Sequence, residues 1–126
     1  LFDSEFNVNM KNTLNTKANA SLNYARLNNI TIQAWGVLQA SWEEGTFLNN
    51  PNYQHLNEKL NELSKMYNVS PSAIAISFIL RHPAKIIPIV GTTNIHHLEK
   101  LVKANDFMLT RKEFYELYVA AGKNLP

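Results

Sequence analysis

Two short, almost wholly apolar runs constrain this chain more than any other feature: "ITIQAWGVL", Ile30–Leu38, and "KIIPIVG", Lys85–Gly91. Both are rich in β-branched residues, and neither shows the strict apolar–polar alternation of a strand with one wet face. They read as strands buried on both faces, as parallel strands are. Parallel strands need helical crossovers between them and helices packed on the sheet. Two strands alone cannot cover each other's faces, so the chain reads as α/β with fewer strands than its own strands require.

The rest of the chain supplies the helices. Residues 1–17, "LFDSEFNVNMKNTLNTK", are polar and asparagine-rich and read as a connecting loop. Ala18–Asn29 sets Ala18, Leu22, Ala25 and Leu27 near one face of a short amphipathic helix. Gln39–Asn52 carries Gly45, Pro51 and three asparagines and reads as a long loop. Leu56, Leu60, Leu63 and Tyr67 recur at helical spacing with polar residues opposite. Ser70 followed by Pro71 is an N-cap with proline at the first helical position. The helix behind it, "SAIAISFILRHP", is apolar nearly all round, hence buried, and Pro83 stops it. Asn94–Asp106 reads as a helix turned inward by Ile95, Leu98, Leu101 and Val102. Thr110 and Glu113 form a capping box for a last helix that Gly122 closes.

Bulk properties exclude several classes. At 126 residues, with 45% hydrophobic and 17% charged residues, the chain suits one compact domain rather than a disordered segment. A net charge of +2 is too small to imply a nucleic-acid or anionic-membrane partner. With no cysteine there is no disulfide, thiolate metal site or cysteine nucleophile, which suits a cytoplasmic chain. No apolar run reaches membrane-spanning length, and residues 1–17 show neither a basic n-region nor an apolar h-region. The sequence opens on Leu1 rather than methionine, so either residues were removed or this is part of a longer chain. Leu63–Arg81 has the length of a helix-turn-helix. Its second helix, however, offers Ala73, Ile74, Ile76, Ser77 and Phe78 where base-reading polar side chains would stand.

In parallel α/β folds, ligands sit beyond the carboxyl ends of the strands. "VGTTN" lies at one such end. Gly91 would admit a ligand close to the backbone, and Thr92, Thr93 and Asn94 offer hydroxyls and an amide where a helix begins, a setting that attracts phosphate. The same residue types serve as a plain helix cap, and the residues alone leave both readings open. At the other strand end, Trp35 is either a flat face for stacking a ring or a core residue. The loop after it, with Trp42 and Gly45, is long enough to form a lid. His96 and His97 are adjacent and diverge on a helix, unlike metal ligands three or four apart. His55 and His82 have no companion pattern, and Glu43 and Glu44 sit in the loop. No glycine-rich dinucleotide motif, Walker loop or serine elbow is present, and no catalytic constellation emerges.

Taken together, "ITIQAWGVL", "LSKMYNVSPSAIAISFILRHPAKIIPIVGTTNIHHLEKL" and "LTRKEFYELYVAAG" resemble the C-terminal part of an aldo-keto reductase. Val69–Leu98 is the most specific stretch, and "LFDSEFNVNMKN" resembles the loop after the sixth barrel strand in a bacterial branch of the family. The resemblance implies a (β/α)8 TIM barrel that binds NADP(H) without a Rossmann motif and reduces aldehydes and ketones by hydride transfer. A complete barrel needs about 250 residues, so residues 1–126 would be an incomplete barrel domain without its N-terminal half. Ile30–Leu38 would be the seventh strand and Lys85–Gly91 the eighth.

Carried over by position, the resemblance puts Trp35 where an aromatic stacks on the nicotinamide. It puts Gly36, Val37 and Leu38 beside the pyrophosphate, and Gln39–Asn52 in the loop folding over the cofactor. Gly91, Thr92, Thr93 and Asn94 would form the turn gripping the 2′-phosphate, with His97 near the adenine. The chain departs from the family in three places. Gly36-Val37 replaces serine-proline and removes a hydroxyl donor, Leu101 stands for an asparagine, and Gly91 for a lysine used in one branch, glycine being usual in others. None of the family's catalytic aspartate, tyrosine, lysine and histidine maps onto this chain. Tyr24, Tyr53, Tyr67, Tyr115 and Tyr118 are not the catalytic tyrosine. The implied partner is a small carbonyl substrate of the complete enzyme, with no nucleic acid or membrane. The alternatives are a non-enzymatic half-barrel that binds a nucleotide or a partner and self-associates, or the relic of a truncated gene.

Overall fold

A computed structural model describes residues 18–123, with the backbone alone for residues 18–21. The expected loop at residues 1–17 lies outside the described residues. Helix α1 (Ala18–Leu27) leads into strand β1 (Gln33–Ala34), then a hairpin of β2 (Gln39–Ser41) and β3 (Gly45–Thr46). Helices α2 (Gln54–Tyr67) and α3 (Pro71–Leu80) cross to strand β4 (Ile87–Pro88), and α4 (Ile95–Val102) and α5 (Arg111–Ala120) follow. Pro51–Tyr53 and Lys103–Asn105 are short 3₁₀ turns. The expected long loop at Gln39–Asn52 is thus a hairpin followed by a turn. Its polar composition hid two strands too short to show a period.

The two apolar runs pair in parallel, Gln33 opposite Ile87 and Ala34 opposite Pro88. Ile87 and Ile89 donate backbone N–H groups to the carbonyls of Ile32 and Ala34 at 2.9 and 2.7 Å. The N–H that Pro88 lacks would point to the opposite, unpaired edge, where proline costs the ladder nothing. Neither strand is buried on both faces, contrary to expectation. Ala34 and Ile86 are buried with Leu22 and Ile79 behind them, but Ile87 and Ile89 are 48% and 44% exposed. The alternation follows from having helices, among the described residues, on one side only. Among the described residues the sheet has two strands, and no barrel closes.

Helix α3 explains its uniform apolarity by touching every part of the core. Ile74 and Ala75 pack with Leu60 and Leu63 of α2 and Leu117 of α5, while Ile79 meets the sheet cluster. Ala73 and Ile76 meet Leu101 at the end of α4 and Ala104 in the 3₁₀ turn after it. Its Ser70 cap accepts from the Ala73 N–H at 3.2 Å, with Pro71 at the first helical position. The Thr110–Glu113 capping box forms at α5, and Gly122 follows that helix at φ +78°. Two helix faces are narrower than expected. Leu27 is exposed because it lies about 200° round the helix from Ala25, the buried residue two positions before it. On α4, Leu101 is buried and Leu98 partly so. Ile95 and Val102, seven residues apart, form a second stripe that α3 does not reach.

Candidate functional site

Because β1 and β4 run parallel, their carboxyl ends share one edge. The chain leaves β1 through Trp35 and β4 through Ile89, side by side. Val37 and Leu38 from the first exit and Val90 from the second pack on the same Ala73–Ile76–Leu101 cluster. The expected site residues therefore form two groups on one edge: Trp35 to Leu38, and Gly91 to His97.

Trp35 is 49% exposed, so it is a surface aromatic rather than a core residue. Trp42 stands beside it, ring centroids 6.5 Å apart and planes inclined by 43°. Gly36 turns the chain at φ +60°, a left-handed backbone that favours glycine, and a Cβ there would meet the side-chain Oε1 of Gln39 at 3.3 Å. The hairpin that follows is pinned at both ends. At its base the Thr46 hydroxyl donates to the Leu38 carbonyl at 2.7 Å. At its tip the Glu44 carboxylate accepts from the Tyr53 hydroxyl at 2.6 Å and from Asn52 Nδ2 at 3.1 Å. The bond to Glu44, helped by burial, raises the Tyr53 phenol above its ordinary pKa. Asn57 ties the segment to α2: its Nδ2 donates to the carbonyls of Phe47 and Tyr53, and its Oδ1 accepts from the Asn49 N–H at 2.8 Å.

At the second exit, both open readings of "TTN" have something to draw on. Asn94 Oδ1 accepts from the His96 N–H at 2.9 Å and so caps α4, while Thr92 Oγ1 accepts from the N–H of Asn94 at 3.2 Å and holds that cap residue. Thr93 and His97 are exposed. Gly91 is exposed outside the left-handed region, and a Cβ there would meet nothing within 4 Å. The chain's own packing does not demand glycine at that position. His96 pairs with Glu99 at 3.4 Å. No cluster of three or more potential metal ligands occurs among the described residues. None of their helices is long and apolar enough to cross a membrane.

A cleft of about 300 Å³ opens on the helix-covered side of the strand end. Trp35, Gly36 and Val37 contribute to it, whereas Gly91, Thr92, Thr93, Asn94 and His97 do not. Its other walls come from Gln39 and Phe47 of the hairpin segment, Phe78 of α3, and Tyr118 and Lys123 at the C-terminal end. Gln39 and Phe47 fall in the segment expected to fold over the cofactor, whereas Phe78, Tyr118 and Lys123 were not expected at a site. They lie far apart along the chain and carry no shared spacing, so only the fold brings them together.

The aldo/keto reductase family profile matches residues 4–120. A 6-dehydroglucose reductase of Agrobacterium fabrum is 32% identical over 87% of this chain and 36% of its own length. An uncharacterized oxidoreductase of Schizosaccharomyces pombe is 31% identical over 86% of this chain and 32% of its own. A norsolorinic acid reductase of Aspergillus flavus is 23% identical over 52% of this chain and 17% of its own. The chain thus spans about a third of the length of the first two relatives. With its profile match running nearly end to end, the chain belongs to the aldo/keto reductase family.

Proposed function

We propose that this chain supplies the cofactor side of an NADP(H)-dependent reductase of aldehydes and ketones, with β1 and β4 as the seventh and eighth strands of a (β/α)8 barrel. The observation that carries this reading is the parallel β1–β4 pair, whose ends bring Trp35 and the Gly91–Asn94 turn to one edge. NADPH would supply the hydride. This chain's part is to bind and orient the cofactor. Trp35 offers a half-exposed indole face for the nicotinamide. The Gly36–Leu38 turn lines the path of the pyrophosphate, and the pinned hairpin covers it. Gly91 leaves open space at the backbone where the 2′-phosphate would approach, with Thr92, Thr93 and Asn94 next in the chain to hold the phosphate and His97 assigned to the adenine. Proton transfer to the carbonyl oxygen belongs to residues outside this chain.

The test compares NADPH with NADH in a full-length protein carrying this chain, before and after Thr92→Ala and Thr93→Ala. NADPH affinity should fall by about tenfold while NADH affinity barely changes, the loss expected for contacts to one charged phosphate. Thr92→Ala also removes the acceptor for the Asn94 N–H, but a damaged cap would weaken both cofactors alike. Equal losses would overturn the phosphate assignment.

A second reading is favoured by the exposed Ile87 and Ile89: a non-enzymatic half-barrel whose open sheet binds a partner or another copy. The mass of the native polypeptide separates the two. A species of barrel length supports the reductase, and one of 126 residues supports the half-barrel.

A further inference from the structure

The cleft beside Trp35 shares the rim formed by Trp35, Gly36 and Val37 with the proposed cofactor contacts and otherwise stands apart from them. Its volume of about 300 Å³ lies at the lower end of small-molecule sites. The floor is apolar, with Leu60, Ile79 and Leu117 all buried. Three rings from separate parts of the chain line it: Trp35 at the strand end, Phe47 just past the hairpin, and Tyr118 of α5. Its polar groups decide what fits. Lys123 makes an interaction of its own, so no uncommitted charge lines the cleft among the described residues. Gln39 directs its Nε2 to the Ser41 carbonyl at 3.2 Å. The hydroxyl of the partly buried Tyr118 is left without a hydrogen-bond partner among the described residues.

We propose that this cleft binds a small neutral aromatic compound carrying one hydroxyl or carbonyl group. The ring packs against Trp35 and Phe47 over the apolar floor, and its polar group meets the Tyr118 hydroxyl, which can donate or accept. Volume selects a small ligand and the ring walls select a planar one. The committed polar groups select a neutral one, because an ion would shed water here with no opposite charge to receive it. The inference holds whether or not the strand ends bind NADP(H).

Equilibrium dialysis of the chain itself against 2-naphthol, naphthalene and 2-naphthoate at neutral pH tests it, since the three share their rings and differ only in a neutral hydroxyl, no polar group or a carboxylate. 2-Naphthol should bind saturably at one molecule per chain, about fivefold more tightly than naphthalene, the worth of one neutral hydrogen bond. 2-Naphthoate should bind more weakly than either. Tyr118→Phe should bring 2-naphthol down to the affinity of naphthalene and leave naphthalene unchanged, which also shows that the variant is folded. Ala121→Phe, at an exposed helix-end position lining the cleft, should weaken both neutral compounds without touching the core. The exposed sheet face could also take an apolar compound, so the Ile87→Thr/Ile89→Thr double variant serves as the control and should change neither. Unsaturable binding would overturn the proposal. So would 2-naphthoate binding as tightly as 2-naphthol, a preference for 2-naphthol that survives Tyr118→Phe, binding that survives Ala121→Phe, or binding lost in the Ile87/Ile89 variant.

Discussion

Gly36 and Gly91 both stand just past a strand end, yet their structural demands are opposite. At Gly36 the left-handed backbone and the 3.3 Å approach to Gln39 act together. Gly36→Ala should therefore destabilise the chain by about 1–2 kcal/mol, the cost of a left-handed non-glycine residue, read as a lower urea midpoint. At Gly91 a methyl group meets open space on a backbone any residue adopts. Gly91→Ala should leave the urea midpoint unchanged or raise stability by up to ~1 kcal/mol through the unfolded state. Any loss of NADPH affinity in Gly91→Ala would then be a ligand effect, and a fall in stability there would refute this account. Asn57 makes a different prediction. It is a single partly buried amide serving backbone groups of Phe47, Asn49 and Tyr53 at once. Asn57→Leu should cost about 2 kcal/mol, because the Phe47 and Tyr53 carbonyls lose a partly buried donor while only the exposed Asn49 N–H can turn to water, and thermal unfolding would measure it. Asn57 was invisible in the sequence because it fell on the polar face of a regular helical pattern, where asparagine carries no signal.

At the scale of elements, capping and periodicity were legible and faces were not. Ser70-Pro71 and Thr110-x-x-Glu113 are read locally, since a cap needs only residues within one turn, and both formed as expected. The apolar run Ile86–Val90 identified a strand, but whether its second face is covered depends on neighbours the run does not encode. Ile95 and Val102 misled for the same reason: an apolar stripe records what a helix can bury, and only a neighbour decides what it does bury. The α5 box also gives a pH prediction. Burial acts against the charge of Glu113. The Thr110 N–H at 2.6 Å and the Tyr67 hydroxyl at 2.8 Å outweigh it, holding the carboxyl below its ordinary 4.5. A carboxylate depressed on folding contributes stability that is complete above the unfolded value and lost as pH falls through the folded one. Acidification below 4.5 should therefore loosen α5 against α2. Glu113→Gln should flatten that part of the stability–pH curve, and an unchanged acid limb would count against the network.

At the scale of the molecule, the sheet is the part that remains incomplete. One face of the β1–β4 pair rests on α1 and α3, while the other presents Ile87 and Ile89 beside the half-exposed Trp35. Pro88 withholds a donor from the outer edge of β4, which limits strand addition there but does nothing for the face itself. Apolar surface of this kind is favourable to cover, at about 25 cal/mol for each Å² removed from water. Either further barrel strands or another copy can do so. As a separate 126-residue species the chain should therefore sediment above monomer mass at micromolar concentration, with the helical circular dichroism of α1 to α5 retained. Ile87→Thr with Ile89→Thr should return it towards monomer with the same helical signal, since both side chains point away from the core that Leu22, Ala34, Ile79 and Ile86 form. Joined to the strands its longer relatives possess, the same two isoleucines should become buried, and threonine there should then destabilise the whole rather than disperse it. Opposite consequences of one pair of substitutions in the short and long forms would establish that this face is a barrel interior. Dispersal in both would make it an interface between separate chains.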